Sequence, residues 1–570
     1  MEGVMMQSKT SQALAVRNED GFIEVKTRKL KPFKRVGKIP IIRGVVAFVR
    51  SLIAGTKLIY ESAEVAFPED ETPGSFGMGV ATCLGLLLAI ALFFVAPVYI
   101  VKGVAWLISL VVAGFEINEY LLTLIEGVLR LVIFILYLFL VSKMNDIKRT
   151  FMYHGAEHRT INCFEHGKEL TVENVQAHST RHNRCGTTFL FFVMIMSMLV
   201  ITLATYIFSL VGLYDLIAGN AIKRVLFRLI LLPLIAGCSY EMLQGLAKLP
   251  DNKFVSILRA PGLAMQKLST FPPEDEMAEV AIVAFCTVME MDKNPELQDR
   301  KFGEYPIAQM RTFIAKKLQE TDAQSCEADW ILCHVLQVKR NELSFHAPLD
   351  KAQYRAVMEI VNKRANKIPL DYILGKSEFY GLEINVSDSV LIPRMDTEIL
   401  VEKALSYITD GDKVLDLMTG SGCIAKAIKV NSNAIVYASD ISEKAIEIAK
   451  TNFDGEIILS DCLNEIDEVF DVIVSNPPYI KTEVIQSLDD EVKAQPILAL
   501  DGGQDGLDAY RKIANSIRKN LSKNGVLLLE IGYDQGEEVS GIFASVFESV
   551  SVEKDLNGND RVVVCKTLKD

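Results

Sequence analysis

At 570 residues the chain is too long for a single hydrophobic core and implies three or four domains. Half of its residues are hydrophobic and the mean hydropathy is +0.24, which excludes a uniformly polar soluble protein. The net charge of −12 is unevenly spread: residues 301–570 hold 30 basic and 44 acidic groups against 30 and 28 in 1–300, and an acidic second half argues against a duplex DNA partner.

In chain order, the first 40 residues are polar and read as no signal peptide. Residues 1–60 carry 12 basic and 4 acidic groups ahead of the first apolar stretch, which by the positive-inside tendency puts the N-terminus in the cytoplasm. Arg43-Gly44-Val45-Val46 opens an amphipathic stretch to about residue 60, and Asp70-Glu71-Thr72-Pro73-Gly74 reads as a loop. Apolar stretches at 78–100, 121–141, 187–213 and 225–247 are each long enough, or nearly so, to cross a bilayer core. The stretch 101–115 is apolar but short, and with Pro97 and Lys102 interrupting it, it reads as interfacial or re-entrant. A fifth crossing there would leave the second half outside the cell; four return it to the cytoplasm. After the last span Lys248-Leu249-Pro250-Asp251-Asn252 marks the exit. Residues 253–293 read as helices broken at Pro261-Gly262 and at Phe271-Pro272-Pro273, and Met291-Asp292-Lys293-Asn294-Pro295-Glu296 reads as the linker between halves. Ten cysteines without a CxxC pair fit free thiols in a reducing compartment.

Residues 142–186 read as a polar cytoplasmic loop holding five of the seven histidines. His154-Gly155-Ala156-Glu157-His158 has the H-x-x-E-H spacing, which on a helix sets two imidazoles on one face with a glutamate beside them. His178 and His182 repeat the four-residue spacing, Cys185 follows, and Glu173 offers a carboxylate. The set suits a divalent metal such as zinc, with His154, His158 and His182 as candidate ligands; the plainer reading is a polar loop whose histidines meet lipid headgroups.

Residues 304–366 have apolar residues at helical spacing. From 412 onward, strands expected at Lys413–Leu417, Ile435–Ala438, Glu456–Leu459, Asp471–Val474 and Val526–Ile531 alternate with helical stretches, the pattern of a doubly wound α/β domain. The first strand runs into Met418-Thr419-Gly420-Ser421-Gly422 and a helix, where glycines let the backbone approach a ligand. Asp440 ends the second strand, placed for ribose hydroxyls, and Asp461 the third, placed near an adenine ring. The six-residue glycine pattern of a dinucleotide site is missing, and the set Gly420, Ser421, Gly422, Asp440, Asp461 and Asn476 suits S-adenosylmethionine. After the fourth strand comes Ser475-Asn476-Pro477-Pro478-Tyr479. A proline-stiffened turn of this kind puts the Asn476 side-chain oxygen and the Pro477 carbonyl where they can accept both hydrogens of a planar NH2. That is what methylation of an amide or exocyclic amine nitrogen requires, and it nominates Asn476, Pro477 and Tyr479 as catalytic and Asn476 to Tyr479 as substrate-binding.

Residues 304–570 resemble the peptide chain release factor glutamine N5-methyltransferase family (the HemK/PrmC type). The resemblance rests on Ile368-Pro369-Leu370-Asp371-Tyr372-Ile373-Leu374-Gly375, Phe379-Tyr380-Gly381, Val390-Leu391-Ile392-Pro393-Arg394-Met395-Asp396-Thr397-Glu398, the glycine turn, Ser475–Tyr479 and Leu529-Glu530-Ile531-Gly532-Tyr533-Asp534-Gln535. Met395-Asp396 stands where the family usually reads Pro-Glu. The resemblance implies a small helical domain that helps recognise a class 1 release factor, and S-adenosylmethionine-dependent methylation of the glutamine of its Gly-Gly-Gln loop. Residues 1–290 resemble a family of membrane proteins of unknown function described as predicted metal-dependent enzymes, through Glu2-Gly3-Val4-Met5-Met6, Ile42-Arg43-Gly44-Val45, Tyr153–His158, His182–Thr187 and Pro261-Gly262-Leu263.

The expected architecture is therefore an α-helical membrane module of about four spans (1–300) with a cytoplasmic histidine-rich loop (142–186), a small helical substrate-recognition domain (301–366) and a Rossmann-like methyltransferase domain (367–570). Expected partners are the bilayer and class 1 release factors. The alternative is a nucleic-acid exocyclic-amine N-methyltransferase carried by a passive membrane anchor, which would need a basic groove that the acidic second half does not supply.

Overall fold

The computed structural model describes residues 2–30, 39–66, 75–112, 118–182, 185–213, 221–250, 252–319 and 326–570. The expected loop at 70–74, residues 113–115 of the short apolar stretch, Asn183, Arg184 and Asp251 lie outside the described residues. The chain divides into two compact units, Met1–Glu304 and Tyr305–Asp570.

The first unit opens with an antiparallel meander that sequence pattern did not reveal: β1 (Gly3–Gln7), β2 (Ser11–Arg17) and β3 (Ile23–Lys29). These strands are five to seven residues long, and only β3 is interleaved with Lys, Arg and Glu, so no long apolar run marks them. Ten helices follow: α1 (Ile42–Ala66), α2 (Ser75–Ile90), α3 (Ala96–Val111), α4 (Glu119–Val141), α5 (Asn145–Glu165), α6 (Val172–Gln176), α7 (Gly186–Leu210), α8 (Ala221–Lys248), α9 (Lys253–Ser269) and α10 (Asp275–Lys293).

Among the described residues, four helical segments are long and apolar enough to cross a membrane: Gly79–Val111, Leu121–Val141, Gly186–Leu210 and Ile222–Leu246. The expected re-entrant segment is instead the continuation of the first of these. A π turn at Ala91–Val95 absorbs the register change ahead of Pro97, which sits in the first turn of α3 where no N–H is needed. The 33-residue segment is ~50 Å long. Charges inside the bundle are partnered: Arg130 donates to the Phe93 carbonyl of the π turn at 2.8 Å and to Ser197 at 2.9 Å, and Arg228 pairs with Glu126.

Residues before the first span (Val4, Met6, Ala13), between the second and third (Tyr153, Ala156) and after the fourth (Met277, Val280, Ala284) share one hydrophobic core. A single packed core cannot straddle a bilayer, so a membrane crossed by these helices would leave all three segments on one side, with Gly79–Val111 counting as one crossing. The supposed polar loop at 142–186 is largely the helices α5 and α6; it reads as polar because α5 buries His158, Thr160 and Asn162 beside its apolar residues. Pro261-Gly262 does not break α9, since Gly262 lies against Thr188 of α7, where a Cβ would stand 2.5 Å from a methyl. The interruption at Phe271–Pro273 is present. The expected linker is not a free segment: Met291–Lys293 close α10, and the chain beyond runs along β3, with Thr27 N–H donating to the Arg300 carbonyl at 3.0 Å and Arg300 N–H to Thr27 Oγ1 at 2.7 Å.

The second unit begins with α11 (Ile307–Lys317), α12 (Glu327–Leu336), α13 (Lys351–Ala365) and α14 (Leu370–Leu374), then the hairpin β4 (Lys376–Phe379) and β5 (Leu382–Asn385). Next come α15 (Glu398–Tyr407), β6 (Lys413–Leu417), α16 (Cys423–Asn431), β7 (Ile435–Asp440), α17 (Glu443–Asn452), β8 (Glu456–Leu459) and β9 (Phe470–Ser475). Three single-turn helices, α18 (Thr482–Ile485), α19 (Asp490–Lys493) and α20 (Ile497–Leu500), lead to α21 (Asp508–Asn520), β10 (Leu521–Glu530), α22 (Gly536–Ala544), β11 (Phe547–Lys554) and β12 (Asp560–Leu568).

The seven-stranded sheet has the order β11-β12-β10-β9-β6-β7-β8, parallel except that β12 is antiparallel to both its neighbours. Its two faces carry separate cores, one around Val414, Ile424 and Leu400 and one around Leu415, Ile473 and Tyr510. Strand order reverses between β6 and β9, and ligands of open α/β sheets bind beyond the carboxyl ends of the strands at such a switch point. The five expected strands are present; β11 and β12 were not anticipated.

Candidate active site

Both turns singled out in the sequence leave the sheet at the switch point, one from β6 and one from β9. The β6 strand is buried, and its Asp416 is fully so. The Asp416 carboxylate accepts from Thr419 Oγ1 at 2.5 Å and from the Ala425 amide at 2.9 Å, which draws the glycine turn back over the strand end. Met418, Gly420 and Gly422 have positive φ (62°, 56° and 78°), and within the turn the Gly422 amide donates to the Thr419 carbonyl at 2.9 Å. At Gly422 a Cβ would meet Ala449 of α17 at 3.3 Å. Burial pushes Asp416 up to about 7, only partly offset by its two hydrogen bonds.

Asp440, at the end of β7, accepts from the Gly420 amide and from the Ser442 amide, both at 2.9 Å. Its carboxyl is raised by burial, and those backbone donors work against the rise. Asp461 lies beyond β8, 3.4 Å from Lys512 Nζ. A cavity of about 400 Å³ opens here, lined by Gly420, Ser421, Asp440, Asp461, Asn476 and Pro478 among others. That volume falls within the range of small-molecule sites. Gly422, Pro477 and Tyr479 do not line it.

The turn after β9 is fixed from several sides. Ser475 Oγ donates to the Leu417 carbonyl at 2.7 Å, locking the two strand ends together. Asn476 Nδ2 donates to Thr397 Oγ1 at 3.1 Å, and Thr397 is buried. That bond fixes the nitrogen end of the Asn476 amide, and Asn476 lines the cavity. Tyr479 does not lie over the cavity: its hydroxyl donates to Glu530 Oε1 at 3.4 Å, and its carbonyl accepts from Gln535 Nε2 at 3.1 Å. Glycine is required behind it, since a Cβ on Gly506 would stand 2.5 Å from the Tyr479 carbonyl oxygen, and one on Gly502 2.8 Å from that of Pro478.

Three residues act here that sequence reasoning did not nominate: Asp416, Thr397 and Glu530. Burial pushes Glu530 up to about 7. Their signal was present, since an acid inside an otherwise apolar strand is rarely idle; Thr397 became visible only through its contact with Asn476.

The expected metal ligands lie in the first unit. His154 and His158 are adjacent on α5, with ring centroids 4.5 Å apart. His182 stands beside them, its ring 5.9 Å from that of His158 and its Nε2 3.3 Å from Glu165. The remaining pair, His166 and His178, bond their own helices' carbonyls at Asn162 and Asn174.

Residues 309–375 match the family described as "PrmC N-terminal domain" and 394–495 that described as "Methyltransferase small domain". Residues 39–291 match "Protein of unknown function (DUF1385)". Among curated proteins, the chain is 40% identical over 258 residues to the release factor glutamine methyltransferase of Thermodesulfovibrio yellowstonii, covering 43% of this chain and 92% of that protein. It is 42% identical over 231 residues to the enzyme of that name from Clostridium acetobutylicum (38% and 81% covered) and 37% identical over 278 residues to that of Bacillus anthracis (45% and 98%). Through its second unit, the chain belongs to the release factor glutamine methyltransferase family.

Proposed function

We propose that the second unit methylates the side-chain amide nitrogen of the glutamine in the Gly-Gly-Gln loop of class 1 peptide chain release factors, using S-adenosylmethionine. The observation that carries this reading is Asn476 on the cavity wall, its Nδ2 donating to buried Thr397 at 3.1 Å. The donor set fits the methyl donor: a glycine turn whose Gly420 and Ser421 line the cavity and a carboxylate, Asp440, after the second strand. Bound there, S-adenosylmethionine supplies a methyl group on a sulfonium centre. The protein's own part is positioning. Asn476 Oδ1 and the Pro477 carbonyl accept the two N–H bonds of the glutamine amide and hold its nitrogen toward the methyl group. Pro478 at the wall helps exclude water, while Tyr479, Glu530 and Gln535 brace the turn from behind. An amide nitrogen is a poor nucleophile, so the rate comes from orientation and desolvation rather than from a strong base. Asp440 and Asp461 bind the ribose and adenine portions.

The shared core of the first unit and the basic residues before the first span support a location in the cell membrane with the methyltransferase on the cytoplasmic side. The test is radiolabelled methyl transfer by residues 305–570 to release factor and to DNA side by side. Label on the release factor, lost when the Gly-Gly-Gln glutamine is replaced, supports the reading; label on DNA alone refutes it.

A further inference from the structure

The first unit brings three metal-ligating side chains to one point. His154 and His158 lie one turn apart on α5, and Cys185 caps the N-terminus of α7. Cys185 Sγ is 3.3 Å from His154 Nε2, and one ligating atom from each of the three lies within 4.8 Å of the others. Tetrahedral zinc, with Zn–N near 2.0 Å and Zn–S near 2.3 Å, sets its donors about 3.5 Å apart. The His154–Cys185 edge is already at that spacing, and the remaining edges need closure on the order of 1 Å.

The surroundings prepare the histidines. His154 Nδ1 donates to the Ser269 carbonyl at 3.0 Å, and His158 Nδ1 to the Thr180 carbonyl at 2.6 Å. A carbonyl only accepts, so each Nδ1 carries the proton and each Nε2 keeps its lone pair for a metal. Gly155 makes this possible: a Cβ there would stand 1.9 Å from the Phe271 carbonyl oxygen, so only glycine lets α5 lie against the backbone that holds His154. Buried Gln266 clamps the other side, accepting from the His182 amide at 2.9 Å and donating to its carbonyl at 2.8 Å. Cys185 and His158 are themselves buried, so this is no solvated surface cluster.

We propose that His154 Nε2, His158 Nε2 and Cys185 Sγ bind one zinc ion and leave its fourth position open. Cys185 takes the place that the sequence assigned to His182, whose ring nitrogen faces Glu165 instead. Three protein donors with an open position is the coordination of catalytic rather than structural zinc, and Glu157 stands between the two histidines in the H-x-x-E-H spacing where a carboxylate accompanies such a site.

The test uses the full chain in detergent, with metal measured by mass spectrometry after dialysis and by absorption after replacement with cobalt(II). One zinc per chain is expected in the wild type and in His182→Ala, and a loss of an order of magnitude or more in His154→Ala with His158→Ala. Cobalt in the wild type should show an intense thiolate-to-metal band that Cys185→Ser lacks while retaining the weaker visible bands, which separates a lost ligand from a failed fold. Azide should shift those visible bands. Wild type that holds neither zinc nor cobalt overturns the site. A thiolate band surviving in Cys185→Ser, or metal loss confined to His182→Ala, overturns the ligand set. Visible bands unmoved by azide overturn the open position.

Discussion

Asn476 lines the cavity and is held at its nitrogen by Thr397, so on the proposed reading its oxygen is the end left for substrate. Asn476→Ala should cut methyl transfer by about 10²–10³-fold, the scale seen on removing one group that orients the reacting atom. Binding of S-adenosylmethionine by calorimetry should change little, because Gly420 and Asp440 remain. Thr397→Val tests the orienting bond, with a smaller loss expected in turnover and none in donor binding. Glu530 behind the turn makes a different prediction, about pH. Its folded-state value near 7 lies above the ordinary 4.5, so the folded unit holds the proton more tightly than the unfolded chain. The stability this gives is complete below pH 4.5 and is lost as the pH rises to 7, by about 3 kcal/mol. Asp416 has the same sign and a similar window. Urea unfolding of residues 305–570 at a series of pH values should therefore fall over that range in the wild type and fall less steeply in Glu530→Gln. Equal slopes would mean that Glu530 does not titrate in the folded unit.

Among the elements, α13 is tied to its neighbours by one buried side chain. Arg364 makes two bonds to Glu327 of α12, at 2.7 and 3.1 Å, and meets Glu491 of α19 at 2.6 Å. It is 2% exposed, so losing it strips the buried Glu327 carboxylate of both these bonds. Arg364→Met should destabilise residues 305–570 by about 3 kcal/mol, and adding Glu327→Met should recover most of that loss. A double variant as unstable as the single one would show that Glu327 is not the group left stranded. Element type followed period: the β6 and β9 strands were legible because they are largely buried runs rich in Val, Leu and Ile bounded by turn residues. The β1–β3 meander was not, because its strands mix Lys and Arg with small residues such as Ala13 and Ala15, which become core only once α10 covers them. Nor was α5, whose polar face conceals a helix that a loop reading explains equally well. At the site, the glycine turn and the Asn-Pro-Pro-Tyr turn were legible as motifs. That Tyr479 turns toward Glu530 was not, since it depends on two strands meeting far along the chain.

For the whole molecule, topology follows from packing more firmly than from hydropathy. The apolarity of 101–115 left the number of crossings open, but one hydrophobic core containing Val4, Tyr153 and Met277 requires an even number before each of those segments returns. Four crossings by Gly79–Val111, Leu121–Val141, Gly186–Leu210 and Ile222–Leu246 satisfy this, and the chain leaves the last one on the side where it began. By the positive-inside tendency, the 12 basic groups among the first 60 residues favour the cytoplasm for that side, as proposed above. Cys286 on α10 is exposed and reports on it directly. A membrane-impermeant maleimide should label Cys286 only after cells are permeabilised, whereas Asn118→Cys, placed between the first two spans, should label in intact cells. The reverse pattern would put the methyltransferase outside the cell, away from both its methyl donor and the release factors. Labelling of both positions in intact cells would mean that Gly79–Val111 does not cross as one helix.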